Sequence, residues 1–137
     1  MAAPASQSGF TLIELLAVVI ILGMLAAVVT PRYFSLVDEA RTAVAQGAVA
    51  EGVGRFYSAY GQYLIENKGR HPANLSALSG DSYLGLSGDN KVVAGDFRLT
   101  YSGGAAGADV SVSVEDQING AWQPVPGVGK SVPWPGS

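Results

Sequence analysis

The stretch Gly9-Phe10-Thr11-Leu12-Ile13-Glu14-Leu15-Leu16-Ala17-Val18-Val19-Ile20-Ile21-Leu22-Gly23-Met24-Leu25-Ala26-Ala27-Val28-Val29 decides the fold. From Phe10 to Val29 every residue but one is apolar, small or hydroxylic. The exception is Glu14, one turn in from the start. At about 1.5 Å per residue this run makes roughly 30 Å of helix, the thickness of a bilayer core. A secretory signal would have a basic start, a shorter apolar core and a small-residue site after it. Here the small and polar residues, Ala2 to Gly9, come first, so a membrane-spanning helix fits better.

A simple anchor leaves Glu14 unexplained. A carboxylate in the bilayer costs at least about 2.5 kcal/mol on insertion scales, and such groups are usually paired or functional. The closest basic residue along the same helix is Arg32. Glu14 must therefore take up a proton, reach the headgroups or find a cation elsewhere. Cutting the chain after Gly9 would create such a cation, the α-amino group of Phe10.

The rest of the chain narrows the function classes. It has 137 residues, 48% of them hydrophobic, and a formal net charge of −3, enough for one small domain beyond the apolar run. No Lys/Arg cluster stands out, so nucleic-acid binding is not expected. There is no cysteine and one histidine, which excludes disulfides, thiol chemistry and the usual zinc sets. No catalytic grouping or phosphate-binding glycine loop can be argued from spacing, so an enzyme is not expected.

The segment Gly9-Phe10-Thr11-Leu12-Ile13-Glu14-Leu15-Leu16 resembles the class III signal of type IV pilins and type II secretion pseudopilins. The resemblance implies that a prepilin peptidase cuts between Gly9 and Phe10 and methylates the new Phe10 amine. It also implies that Glu14 pairs with the amine of a neighbouring subunit during assembly. Leaders of that family usually carry Lys or Arg, whereas residues 1–8 here carry none. Pro31-Arg32-Tyr33-Phe34 through Asp38-Glu39-Ala40-Arg41 is similar to the mannose-sensitive haemagglutinin type of pilin.

Past the apolar run, Pro31 should kink or locally open the helix, and Gly23 is a second weak point. The family implies that the matching stretch, Gly23 to Pro31, melts in some filaments; a simple kink is the plainer alternative. Arg32 reads as a boundary cation at the headgroups. Leu36, Ala40, Ala43, Val44, Gly47, Val49 or Ala50, Val53, Phe56, Tyr57, Tyr60, Tyr63 and Leu64 then follow a period near 3.6. Phe56, Tyr57, Tyr60 and Tyr63 are read as rings packing on a sheet, in preference to an electron path. The helix is expected to end at Asn67-Lys68-Gly69, with Gly69 as the left-handed C′ residue.

His71, before Pro72, reads as a solvated turn residue. Leu78-Ser79-Gly80-Asp81 and Leu86-Ser87-Gly88-Asp89 echo each other as turns. Strands are predicted around Phe97–Tyr101 and Val110–Val114, and a third from Ala121-Trp122-Gln123 after the Asn119-Gly120 turn. The Pro/Gly-rich tail from Pro124 is expected to be irregular, with Trp134 either capping the sheet or exposed.

These readings give an α+β fold, in which a long N-terminal α-helix, half of it transmembrane, packs on a small antiparallel sheet of three or four strands, pilin-like. The expected divisions are a leader at 1–9, a transmembrane or filament-core half at 10–30, an amphipathic half at 31–68 and a head at 69–137. The resemblance implies a structural subunit of a helical filament, drawn from an inner-membrane pool and exposed as a pilus. Its partners would be copies of itself, the prepilin peptidase, an assembly platform and an ATPase. The alternatives are a pseudopilin forming a periplasmic piston and a membrane-anchored monomeric binding domain. No cofactor is expected. The family can hold calcium near the head, for which Asp81, Asp89 and Asp96 are weak candidates whose spacing matches no EF-hand.

Overall fold

A computed structural model describes residues 9–105 and 107–135. The expected leader, residues 1–8 before Gly9, lies outside them. The chain divides into two compact units, Met1–Glu39 and Ala40–Ser137. The order of elements is α1 (Leu12–Glu66), a 3-10 turn (Leu75–Leu78), β1 (Lys91–Ala94), β2 (Phe97–Gly103), β3 (Val110–Ile118) and β4 (Ala121–Val132).

In the first unit α1 is apolar and unburied. Every described residue from Gly9 to Leu36 is exposed, although the run is Leu/Ile/Val-rich. By length and composition it can cross a membrane. Pro31 lies inside α1, which is helical on both sides of it. Proline has no N–H to give the carbonyl of Ala27. Just beside it the Thr30 hydroxyl bonds back to the Ala26 carbonyl at 2.8 Å.

In the second unit the buried seam of α1 is Ala45, Val49, Gly52, Phe56, Ala59 and Tyr60. Its steps of three and four are those of one helix face. This corrects the expected face at its start. Ala43, Val44 and Gly47 are exposed, and the seam runs one position off them through Ala45. With Ala or Gly at so many neighbouring positions, hydropathy alone could not choose between these faces.

The helix ends at Glu66, one residue earlier than expected. Asn67 N–H bonds to Tyr63 O at 2.9 Å and Gly69 N–H to Leu64 O at 2.7 Å. The latter six-residue closure is that of a Schellman motif. The left-handed backbone begins at Lys68 (φ 53°) and continues at Gly69 (φ 80°). Lys68 therefore takes the C′ place expected of Gly69.

The four strands form an antiparallel meander in the order β1-β2-β3-β4. Leu99 and Tyr101 of β2 and Val110, Val112 and Val114 of β3 are buried. The sheet packs tightly on α1 at Gly52. A Cβ there would lie 2.9 Å from Val112 Cγ1 and 3.1 Å from Leu99 Cδ1. Tyr101 donates its hydroxyl hydrogen to the Gly52 carbonyl at 2.9 Å. Burial pushes the Tyr101 phenol up to about 12, so it stays a donor.

Asn119 and Gly120 both have positive φ, 53° and 79°, as a two-residue type I′ hairpin requires. Strand β1 is additional to the expected strands; it is only Lys91-Val92-Val93-Ala94. The larger correction is the tail, which is not irregular: β4 runs through Pro124, Pro126 and Gly127 to Val132. It is an edge strand, where proline's missing donor need not break a ladder. Between the pairs Glu115↔Pro124 and Ser113↔Gly129 the register shifts. That bulge holds Gly127 at φ 73° and lets the strand resume with Val128 and Val132 buried.

Trp134 caps the core. It is 2% exposed and its ring centre is 5.6 Å from those of both Phe56 and Tyr60. Tyr60 donates to the Pro135 carbonyl, and His71 Nδ1 lies 2.8 Å from the same phenol oxygen. His71 is exposed, as expected of a turn residue, but it also has this partner. Trp134 and Pro135 are thus fastened to the core without cysteine. Tyr60→Phe keeps the ring and deletes both polar contacts. Leaving a part-buried carbonyl short of a donor should cost about 1–2 kcal/mol. A thermal melt of the two proteins measures it, and equal midpoints would refute the fastening.

On the opposite face of the sheet Arg98 Nε donates to Glu115 Oε2, and Lys91 Nζ lies 3.6 Å from Glu115 Oε1. The Arg98 hydrogen bond, above all, holds the Glu115 carboxyl below the usual glutamate range. A depressed carboxyl contributes stability above its unfolded pKa and loses it as pH falls through the folded one. Glu115→Gln should therefore flatten the fall in stability below about pH 4.3 and change little near neutrality beyond the modest worth of a surface ion pair. Denaturant midpoints measured at stepped pH test this; parallel curves for the two proteins would exclude it.

Candidate functional site

The chemistry concentrates where α1 begins. Gly9, Phe10 and Thr11 precede the helix, all exposed, with Phe10 at 79%. A Cβ on Gly9 would meet nothing within 4 Å. The peptide bond between Gly9 and Phe10 therefore lies in accessible, non-helical backbone, as a peptidase needs.

Thr11 sets the first turn. Its carbonyl accepts from the N–H groups of Glu14 (3.1 Å) and Leu15 (3.2 Å), and its Oγ1 faces the Glu14 N–H at 3.3 Å. Thr11 is thus the N-cap and Glu14 the third helical residue, the T-x-x-E spacing of a capping box. Thr11 is a capping residue that the reading of the sequence overlooked. Its signal was present in Thr11-Leu12-Ile13-Glu14 but was absorbed into the longer motif.

The N-terminal end of a helix carries roughly half a positive charge, which favours a carboxylate in the first turn. That half charge is a weak partner. None of the ion pairs among the described residues involves Glu14. Arg32 is about 27 Å further along the helix at 1.5 Å per residue. In this chain alone Glu14 is a carboxylate on an apolar rod, one turn from the backbone where a new amine would be made.

The other expected site residues are scattered. Gly23 and Pro31 are exposed within α1. Phe56 and Tyr60 belong to the core, Tyr63 packs against it, and Tyr57 is 44% exposed. These rings are packing groups. Asp81 and Asp89 border one groove, while Asp96 sits in the β1–β2 turn. Among the described residues no three His, Cys, Asp or Glu side chains gather as a group that could hold a metal ion.

Residues 4–30 match the family model described as the prokaryotic N-terminal methylation motif. The chain is 56% identical over 43 residues to the type II secretion system core protein G of Pseudomonas aeruginosa, covering 31% of this chain and 30% of that one. It is 32% identical over 110 residues to the type IV major fimbrial protein FimA of Dichelobacter nodosus, covering 80% and 62%. With the type IV major alpha-pilin of Moraxella bovis it shares 43% identity over 47 residues, 34% and 30% of the two chains. The chain thus spans between about a third and three-fifths of the lengths of these relatives. No solved structure matches significantly.

Proposed function

The chain belongs to the family of type IV pilins and type II secretion pseudopilins, and from that premise we propose that it is the repeating subunit of a pilus-like helical filament. The family is one of structural subunits, not enzymes. The observation that carries the reading is the apolar run of the first unit, residues 12–29: an unburied helix whose one carboxylate, Glu14, lies one turn inside an exposed, non-helical start. Such a surface is stable in lipid or against other copies of itself, and nowhere else.

In this reading the prepilin peptidase removes the segment ending at Gly9 and methylates Phe10. Processed chains wait in the inner membrane, where an assembly platform and its ATPase draw them into the fibre. The Phe10 amine of one subunit then meets the Glu14 of another. Pairing two charges in a low-dielectric environment fixes register, because an offset leaves both unpaired. Gly23 and Pro31 are where α1 would bend or open under load.

A second reading, a pseudopilin working as a periplasmic piston in type II secretion, draws on the 56% identity over 43 residues with the type II secretion system core protein G. The longer alignment with a fimbrial protein, which runs through the head, favours the pilus. A monomeric anchored binding domain is the third reading. Intact mass of material sheared from whole cells separates the three. A dominant species beginning at methylated Phe10 in the sheared fraction supports the pilus. A processed chain confined to the cells supports the piston. A chain still carrying residues 1–9 supports the anchor and removes the cation that Glu14 needs.

A further inference from the structure

The face of the sheet turned away from α1 carries a second constellation, unrelated to assembly. Strand alternation sends Leu99 and Tyr101 inward and leaves Arg98 on the outer face. Arg98 is fixed twice, by its Nε hydrogen bond to Glu115 and by the Trp122 ring, whose centre is 4.9 Å from the guanidinium carbon. Its two Nη groups are left over for a ligand. Lys91, which also lies against Glu115, is a second cation beside it. Lys91 and Arg98 share an open groove of 450 Å³ with Asp81 and Asp89 of the preceding loop, within the size range of ligand sites. Both aspartates are exposed, and neither joins an ion pair among the described residues.

We propose that this groove binds a free α-amino acid with an aliphatic side chain, held at once by its ammonium and its carboxylate.

The charged groups that border the groove balance, two carboxylates against two cations. A simple anion would gain Lys91 and Arg98 and be repelled by Asp81 and Asp89; a simple cation would meet the reverse. A ligand that carries both charges satisfies both sets. Its carboxylate suits Arg98, because a guanidinium presents paired N–H groups that match two carboxylate oxygens. Glu115 and Trp122 already hold the guanidinium plane, so little ordering is needed on binding. Its cation is a primary ammonium, whose three N–H donors can serve two carboxylates; a quaternary ammonium has none to give. Leu86 and Val93, the latter 58% exposed, offer apolar area to the side chain. None of these residues lies in α1, so the site does not depend on the filament reading.

The test uses the full chain in a polyoxyethylene detergent, whose headgroup carries no charge to compete. Exposed charges are screened by water, so binding is weak and exchange fast, the regime that saturation-transfer NMR detects. It is run with leucine, with isoamylamine, which is leucine without the carboxylate, and with isocaproate, which is leucine without the ammonium. Transfer to leucine is expected, with each analogue binding at least about threefold more weakly for want of one charged end. Asp81→Asn combined with Asp89→Asn should weaken leucine binding about threefold or more, and so should Arg98→Gln. The two aspartates are exposed loop residues, so their variant keeps the question open to refutation if Arg98→Gln disturbs the sheet. Absence of transfer to leucine would overturn the proposal. So would equal binding of either analogue, or unchanged leucine binding in the aspartate variant.

Discussion

A Glu14→Ala chain is expected to enter the membrane as well as its parent and to yield at least about tenfold less sheared filament, the equivalent of losing some 1.4 kcal/mol or more per subunit addition. Two effects pull apart here. Insertion becomes easier, because a carboxylate that costs about 2.5 kcal/mol or more in lipid is gone. In the proposed filament assembly becomes harder, because the Phe10 amine would then enter the fibre unpaired, and an uncompensated buried charge is costly. A variant that merely damaged folding would lower both pools together. Quantifying the subunit in membranes and in the sheared fraction distinguishes these cases. Glu14→Asp keeps the charge but shortens its reach by one methylene, so it should fall between the two. Filaments at parental level in Glu14→Ala would sink the pairing.

Gly52→Leu is expected to lower the stability of the head by about 3 kcal/mol, at the upper end for overpacking a filled core. At this position even a methyl group is crowded. The new Cβ would meet Val112 at 2.9 Å, Leu99 at 3.1 Å and the Tyr101 hydroxyl at 3.3 Å. The larger side chain must separate α1 from β2 and β3, and the bond from Tyr101 to the Gly52 carbonyl breaks with it. Gly52→Ala sets two terms against each other. Helix propensity gains about 1 kcal/mol, while Val112 must shift and Leu99 must yield a few tenths of an ångström. Its effect should be several-fold smaller than that of leucine. Near-UV circular dichroism during denaturation reports on Tyr101 and Trp134, whereas the far-UV signal is dominated by α1. A leucine variant melting with its parent would show that α1 does not rest on the sheet at Gly52.

The first unit was legible in the sequence because it is governed by one strong term, the hydrophobicity of twenty residues, and one exception to it. The same strength hid Thr11, since an apolar run needs no cap to be read as a helix. In the second unit the alternation at Leu99–Tyr101 and Val110–Val114 and the Asn119-Gly120 turn were readable for local reasons. The seam of α1 was not. Where Ala43, Ala45, Gly47, Ala48 and Ala50 follow one another, the buried face is chosen by what the sheet offers, and that is tertiary information. The tail misled for a related reason. Pro124, Pro126 and Gly127 speak against a strand only if it is central, and position in a sheet cannot be read from the strand itself. The arginine–tryptophan contact likewise depends on register across three strands.

The Asn119–Gly120 turn has a practical meaning as well. It is exposed, joins two strands already held by their ladder, and places no side chain in the core. A foreign peptide spliced there would lengthen a loop at a cost that rises only by about 0.6 kcal/mol per doubling. One attached just beyond Pro135 would instead pull on buried Trp134. In the proposed filament, with the hairpin tip left uncovered by neighbours, an inserted peptide would repeat once per subunit along the fibre.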